Sequence, residues 1–539
     1  MSDTREATVR SAAAMSAGTF ASRATGLIRV CVTLAALGVS ATSDAYNAAN
    51  TTPNIVYELI LGGILTSVFV PVLVHQAKTH GAQARDEAAS RLLTLTVVVL
   101  VGVAAVGALT APWIMRAYLS GVEDPVQREQ EIELGTFFLR WFMPQMVFYG
   151  IAAVAGGVLT THRRFAAQMF TPVLNNLTVI VTMIVFIQIH DGSARIAELT
   201  TGERTLLAVG TTLGVVAMAV GLLPALRRIG FRWRPRFDWR HESVARLLRL
   251  GRWVLVYVAA NQLAFFVIIR FSVTADPAGG ITAYSQAFIF FSLPHAIVAV
   301  SIFTALLPGL AERWTADDRD GVRELFSRGL RDTVVAMLPA AVGYAVLAGP
   351  IVALLAQYGA VGSADAQLLA RTLAAFAVGL PFFSVFQLLT RTYYAGHDSK
   401  TPALVNIGAA AVNLAADVVL AFVFDLGVPG LALGHATSYA VGSIVLFWLL
   451  RKRLHGADER RIASTVGRSL LATACMGAVV LAVAAGIDAL LDVDRAGGRL
   501  VQVAAAVAAG VLVFGLTAVI FRVREVDEVR SALLARFRP

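Results

Sequence analysis

Lysine is almost missing from this chain. Lys78, Lys400 and Lys452 are the only three, so arginines supply nearly all of its 45 basic residues. That bias, alongside abundant alanine, suggests a GC-rich bacterial genome, and the arginine total alone says little about phosphate recognition. Charge of either sign is also scarce. Charged residues make up 15% of the 539 positions and hydrophobic residues 57%, with a mean hydropathy of +0.70, which excludes an ordinary soluble chain. Cysteine is confined to Cys31 and Cys475, both inside apolar runs, which excludes a disulfide framework and leaves both as small core residues. No segment alternates strictly between apolar and polar residues, which excludes a β-barrel. Long hydrophilic loops are lacking, and with them any Walker motif, zinc-ligand spacing or nucleophile elbow.

Apolar blocks of about 20 residues or more fill the chain, each long enough to cross about 30 Å of hydrocarbon as a helix. The fold class is therefore an all-α polytopic membrane protein of about fourteen spans. They are expected near 18–39, 46–75, 91–119, 134–160, 167–190, 204–228, 246–272, 281–310, 328–357, 367–395, 401–424, 430–451, 463–487 and 498–521. The first block lacks a cleavage pattern and reads as a retained span. Basic residues gather in every second connection, most densely in RRIGFRWRPRFDWRHESVARLLRLGR at 227–252, while the intervening connections are short or acidic, as in GVEDPVQREQEIE at 121–133. By the positive-inside rule both termini are expected in the cytoplasm of a bacterial cell, with the chain in its cytoplasmic membrane. Anionic lipid beside such loops accounts for the net charge of +10, and no nucleic-acid partner is expected.

The chain also repeats itself. AYNAANTTPNIVYELILGGILTSVFVPVL at 45–73 aligns with AYSQAFIFFSLPHAIVAVSIFTALLPGL at 283–310, with Tyr46 and Tyr284 standing 238 apart. LTAPWIMRAYLSG at 109–121 aligns with LAGPIVALLAQYG at 347–359, again at 238, and Pro144 and Pro381 keep an offset of 237. Each repeat carries six spans, an even number, so the two halves are expected to lie parallel, as in transporters that rock around a central substrate path. The expected domains are an N-lobe at 1–228, a basic linker at 229–245, a C-lobe at 246–453, and helices 13 and 14 with a tail at 454–539.

Within the first span sit Arg23 and Arg29. Each would cost about 2.5–3.5 kcal/mol at the centre of a lipid-facing helix. At 100° per residue, Ser16, Thr19, Ser22, Arg23, Arg29, Thr33 and Ser40 share a wedge of roughly 140°, which predicts a face turned to a watery cavity. Helix 2 offers a matching stripe of Asn47, Asn50, Thr51, Asn54 and Glu58, with Asp44 just before it. Helix 7 adds Asn261, Gln262 and Arg270, and helix 8 adds Gln286 and His295. Two forked guanidiniums suit an anionic, phosphate-bearing substrate, unless they pair with Glu58 and Asp44 and only lock helices together. Helix 11 places Asn406, Asn413 and Asp417 on one face. Asn413 and Asp417 offer oxygens to a hard cation such as sodium, or else a hydrogen bond between helices. No other cofactor is expected.

SRATGLIR (22–29), SDAYNAANTTPN (43–54), FVPVL (69–73), TALLPGL (304–310) and YYAGHDSKTP (393–402) resemble the signatures of the MurJ/MviN family. This family consists of lipid II flippases in the multidrug/oligosaccharidyl-lipid/polysaccharide exporter superfamily. The resemblance covers essentially the whole chain, including the two helices beyond the six-plus-six core. It implies movement of undecaprenyl-pyrophosphate carrying the peptidoglycan disaccharide-pentapeptide from the inner to the outer leaflet, by alternating access and not by enzyme catalysis. Arg23, Arg29 and Asp44 would match central-cavity positions, joined by Asn50, Asn54, Glu58 and Arg270, and helices 13 and 14 would form a groove toward the lipid tail. Sodium in some members lies between helices 7, 11 and 12, which adds Asn261 and Thr437 to Asn413 and Asp417. Membrane lipids and cell-wall synthesis and division proteins are the implied partners. The chain departs from the family at PNIVYELILGG, where Tyr57 and Glu58 stand in place of helix 2 arginines, and at YSQAFIF in helix 8, near Ala287 and Phe288. A drug/cation antiporter or polysaccharide-lipid exporter of the same superfamily is the alternative, and a polytopic glycosyltransferase a distant one.

Overall fold

A computed structural model describes residues 2–58, 70–162, 164, 166–190, 194–237, 263–491, 496–528 and 531, with the backbone alone for 2–16, 56–58 and parts of 70–78. Helix α1 (Ser2–Leu37) turns into α2 (Ala41–Glu58) at Gly38, whose φ of 71° suits glycine. Then follow α3 (Val70–Leu119), α4 (Pro125–Phe142), α5 (Gln145–Thr161), α6 (Ala166–Ile189), α7 (Thr201–Val220), α8 (Leu223–Arg228) and α9 (Leu263–Ala275). The remainder comprises α10 (Gly280–Pro294), α11 (Val300–Thr315), α12 (Arg319–Leu355), α13 (Ser363–Ala395), α14 (Lys400–Asp417), α15 (Gly427–Arg453), α16 (Glu459–Leu490) and α17 (Ala496–Ile520).

Among the described residues twelve segments are long and apolar enough to cross a membrane. They fall on the expected spans except the second and seventh, 46–75 and 246–272, which run into residues 59–69 and 238–262 outside the description. Two connections differ from expectation. The polar start is helical from Ser2, and the basic stretch before Arg91 continues α3 instead of forming a loop, broken only where Gly81 takes a φ of 86°. Alanine, glutamine and arginine favour helix and no proline interrupts them. Prolines mark the kinks within spans. Pro144 separates α4 from α5, and Pro294 precedes a π-turn at His295–Ala299 that leads into α11.

Packing divides the chain into two units: Met1–Thr282 with Gly359–Val361, and Ala283–Tyr358 with Gly362–Pro539. In the first, Tyr46 meets Phe138 and Phe142 edge-on at centroid distances of 5.6 and 5.5 Å. Helix α9 belongs to this unit, although the repeat assigns it to the second half. Ile269 and Val273 share a buried cluster with Tyr118 and Leu119, and Phe266 lies 5.0 Å from Tyr118. The packing boundary is thus Thr282, not the 229–245 linker. Gly359 joins this unit because Ala360 donates its amide to the Ala35 carbonyl of α1 at 2.9 Å. Its repeat counterpart, Gly121, lies against Arg270 and Thr274 of α9, so each turn docks on the first helix of the other repeat.

In the second unit α13 is the most buried of the described spans, just as the equivalent Pro125–Thr161 span is in the first. Lipid tails are as apolar as leucine, so such helices associate through close contact at small residues. Gly379 of α13 fits against Ala436 of α15, and Gly510 of α17 against Val480 of α16. The last two helices pack on each other and on α12 through Leu347, Met476, Val480 and Ala506. Cys31 is partly buried, whereas Cys475 is exposed on α16 instead of lying in a core; both are free thiols.

Candidate functional site

Helix α1 lies along α6. Asn176 of α6 donates to the Ser22 carbonyl at 3.1 Å and to the Thr25 hydroxyl at 3.0 Å. Of the predicted polar wedge, Thr19 also faces α6, its hydroxyl donating to Met169 Sδ at 3.8 Å. Arg23 is exposed, Arg29 is partly buried, and neither makes an ion pair with a carboxylate among the described residues. Arg29 lies within electrostatic reach of the buried Tyr46 hydroxyl, which itself bonds Thr211 at 2.7 Å.

Asp44 has a different place from the one expected. It is 1% exposed, and its carboxylate accepts the backbone amides of Ile281 at 3.2 Å and Thr282 at 2.8 Å, plus the Thr282 hydroxyl at 2.6 Å. These amides are the unsatisfied donors at the N-terminus of α10, so Asp44 caps that helix from α2 and its negative charge complements the helix dipole. Asn47 adds a bond to the Thr282 hydroxyl at 2.9 Å. A carboxylate so engaged organises the site's frame instead of facing a ligand, and it does not pair with Arg23 or Arg29.

Asn50 is partly buried, and Asn54 accepts a hydrogen bond from the Tyr149 hydroxyl of α5 at 3.0 Å. The side chain of Glu58 lies outside the described residues, as do Asn261 and Gln262 entirely. Arg270 bonds Thr274 one turn further along α9 and covers Gly121, which places it at the turn between α3 and α4. Gln286 and His295, expected to line the cavity, are 6% and 7% exposed, and His295 bonds Ser384 of α13 at 2.9 Å. His295 thus serves helix packing, whereas Gln286 is buried with its Oε1 unpartnered among the described residues. In α14, Asn413 donates to Asp417 Oδ1 at 2.9 Å, while Asp417 Oδ2 is buried without a hydrogen-bond partner. Gly434 of α15 permits this approach, since a Cβ there would overlap Asp417 Oδ1. Thr437 is exposed, and its hydroxyl donates to the Leu433 carbonyl of its own helix.

Two features have no counterpart in the sequence reading, and a third, a groove, is walled differently from the one expected of helices 13 and 14. Glu131 of α4 is fully buried; one oxygen accepts from Gln127 at 2.8 Å and the other has no partner. His435 of α15 is ringed by Phe288, Phe376 and Tyr439, its centroid 5.4, 5.5 and 4.7 Å from theirs. An apolar furrow of about 580 Å³ runs between α12, α13, α15 and α16, lined by Leu330, Val334, Phe382, Ile444, Val466 and others. Only the furrow had a signal, the two helices beyond the repeat.

The architecture is that of a known class. It superposes on a multidrug-resistance MATE transporter of the MOP superfamily in an inward-facing conformation, with a TM-score of 0.65 at 15% identity over 80% of this chain and 94% of that one. A structure described as the lipid II flippase MurJ in an inward closed conformation gives a TM-score of 0.75 at 20% identity, over 94% of this chain and 98% of that one. The fold is thus the many-helix membrane architecture shared by these structures. The family model for lipid II flippase MurJ matches residues 34–492, and the chain belongs to that family. Among its relatives are the lipid II flippase MurJ of Burkholderia cenocepacia, 28% identical over 81% of this chain and 82% of that one, and the probable lipid II flippase MurJ of Thermotoga maritima, 27% identical over 88% and 90%.

Proposed function

We propose that this chain carries lipid II from the inner to the outer leaflet of the cytoplasmic membrane by alternating access, with both termini on the cytoplasmic side. The observation that carries this reading is the pair of helix 1 guanidiniums, one exposed and one partly so, with no carboxylate partner among the described residues. Arg23 and Arg29 bind the pyrophosphate through charge-assisted bonds, since planar forks match its oxygens. Asp44 holds the frame by capping α10, and Asn50 and Asn54 supply neutral donors along α2. Glu58 and Arg270 are the outlying members of this set.

The lipid tail takes the apolar furrow walled by α12 and α16, lined by hydrocarbon apart from Ser443, whose hydroxyl donates to the Phe382 carbonyl. Asp417 and Asn413 have the oxygens for a sodium ion, and the unpartnered Asp417 Oδ2 fits a cation, with Thr437 as a further donor. Bound sodium would neutralise that carboxylate. The protein's work is transport and not catalysis, alongside the cell-wall synthesis and division machinery. Depletion in cells tests the reading: lipid-linked precursor should accumulate on the inner leaflet while wall synthesis stops. Drug sensitivity without precursor accumulation would instead favour an exporter.

A further inference from the structure

Helix α8 ends in a turn built for a purpose. Phe231 donates its amide to the Leu226 carbonyl at 3.1 Å and Gly230 to the Arg227 carbonyl at 3.0 Å, with Gly230 at a φ of 75°. This paired pattern closes a helix only when a residue in the left-handed region follows it, and glycine takes that conformation without a Cβ clash. The turn folds Phe231 back beside Leu226, and the following irregular segment is pinned to α3. Trp233 Nε1 donates to the Thr94 hydroxyl at 3.1 Å, and the Arg236 amide donates to the same oxygen at 3.2 Å.

Between α3, α5 and this turn lies a cavity of about 580 Å³, in the size range of small-ligand sites. Leu93, Val154, Val158 and Leu226 line its interior, and Arg227 and Arg232 stand at its mouth. The charges nearby are sorted. Arg85 pairs with Asp86, and Arg91 and Arg236 both pair with Glu87. Arg227 and Arg232 are exposed and have no carboxylate partner among the described residues. The site immediately follows a membrane span, where Trp233 sits half-exposed as interfacial aromatics do.

We propose that this cavity binds an anionic diacyl phospholipid of the surrounding leaflet, its phosphate between Arg227 and Arg232 and one acyl chain in the apolar interior. An acidic peptide would match the arginines but not the hydrocarbon lining. A zwitterionic lipid would bring its own cation beside them.

The test uses the full chain in nonionic detergent, with binding of short-chain phosphatidylglycerol and phosphatidylcholine of equal tails followed by native mass spectrometry. Phosphatidylglycerol should bind about tenfold or more tightly than phosphatidylcholine, the ratio expected for two arginines at a lipid surface. Arg227→Ala with Arg232→Ala should erase that preference without lowering the melting temperature, and Ile151→Phe should weaken both lipids by narrowing the cavity. The proposal fails if the double variant keeps the preference, or if inorganic phosphate displaces the lipid as well as phosphatidylglycerol does.

Discussion

Asp44 accepts both the amide and the hydroxyl of Thr282, at 2.8 and 2.6 Å, and Thr282 is the residue that the internal repeat sets opposite it, 238 positions on. An acid at one position of the duplication thus caps the helix that begins at the other. The pairing ties the first turn of α10, up to Thr282, to α2 within the first packing unit.

Loss of this cap has a measurable cost. Asp44→Ala leaves buried amides unpartnered and should lower stability on the order of 2 kcal/mol, with Asp44→Asn intermediate because one oxygen remains. Adding Thr282→Val to Asp44→Ala should cost less than the sum of the two single changes. Thermal unfolding of the purified variants decides it, and strict additivity would refute the direct bond.

Arg23 and Arg29 carry a different expectation, because neither makes an ion pair among the described residues. Arg23→Ala and Arg29→Ala should each melt near the wild type yet weaken pyrophosphate-lipid binding by about tenfold or more, the loss of a charge-assisted contact. Lysine at either position should restore only part, since it lacks the fork. Normal cell growth on both alanine variants would remove their substrate role.

Asp417 offers a test that does not need transport. If sodium binds there, sodium in place of potassium should raise the melting temperature of the wild type by mass action. Asp417→Asn should show no such rise. An equal rise in both proteins would place the ion elsewhere.

Asp398 lies outside the spans, between α13 and α14. Burial alone would raise its pKa, but the Thr401 amide and hydroxyl, at 3.0 and 2.9 Å, and the Arg453 guanidinium outweigh burial and hold the carboxyl below its usual range. Its contribution to stability is therefore complete above the ordinary aspartate value of about 4 and is lost as pH falls through the lowered one. Melting curves should show a steeper acid limb for the wild type than for Asp398→Asn. Parallel limbs would contradict this.

Some of the site was legible in the sequence and some was not. Arg23 and Arg29 stood out because a guanidinium in an apolar run has few explanations, and the structure leaves both without a carboxylate partner among the described residues. Helical spacing names a face but not its neighbour: within the wedge Thr19 lies against Met169 of α6 and Thr33 is buried. Gln286 and His295 are buried by their neighbours in the same way, His295 bonding Ser384 of α13. Glu131 drew no attention because it sits in an acidic stretch that reads as a solvated loop, whereas tertiary packing buries it completely.

What the sequence alone determined was the spans, the duplication and the positions of intramembrane charge, because hydropathy, helical period and residue identity are local properties that bilayer physics acts on directly. Only the tertiary structure decided that Asp44 caps α10, that α9 packs with the first unit, and that Gly359 docks on α1. Each of these is a contact between residues more than two hundred positions apart or a choice among packing partners of equal apolarity. No local pattern encodes such a choice, since one leucine-rich face suits many others.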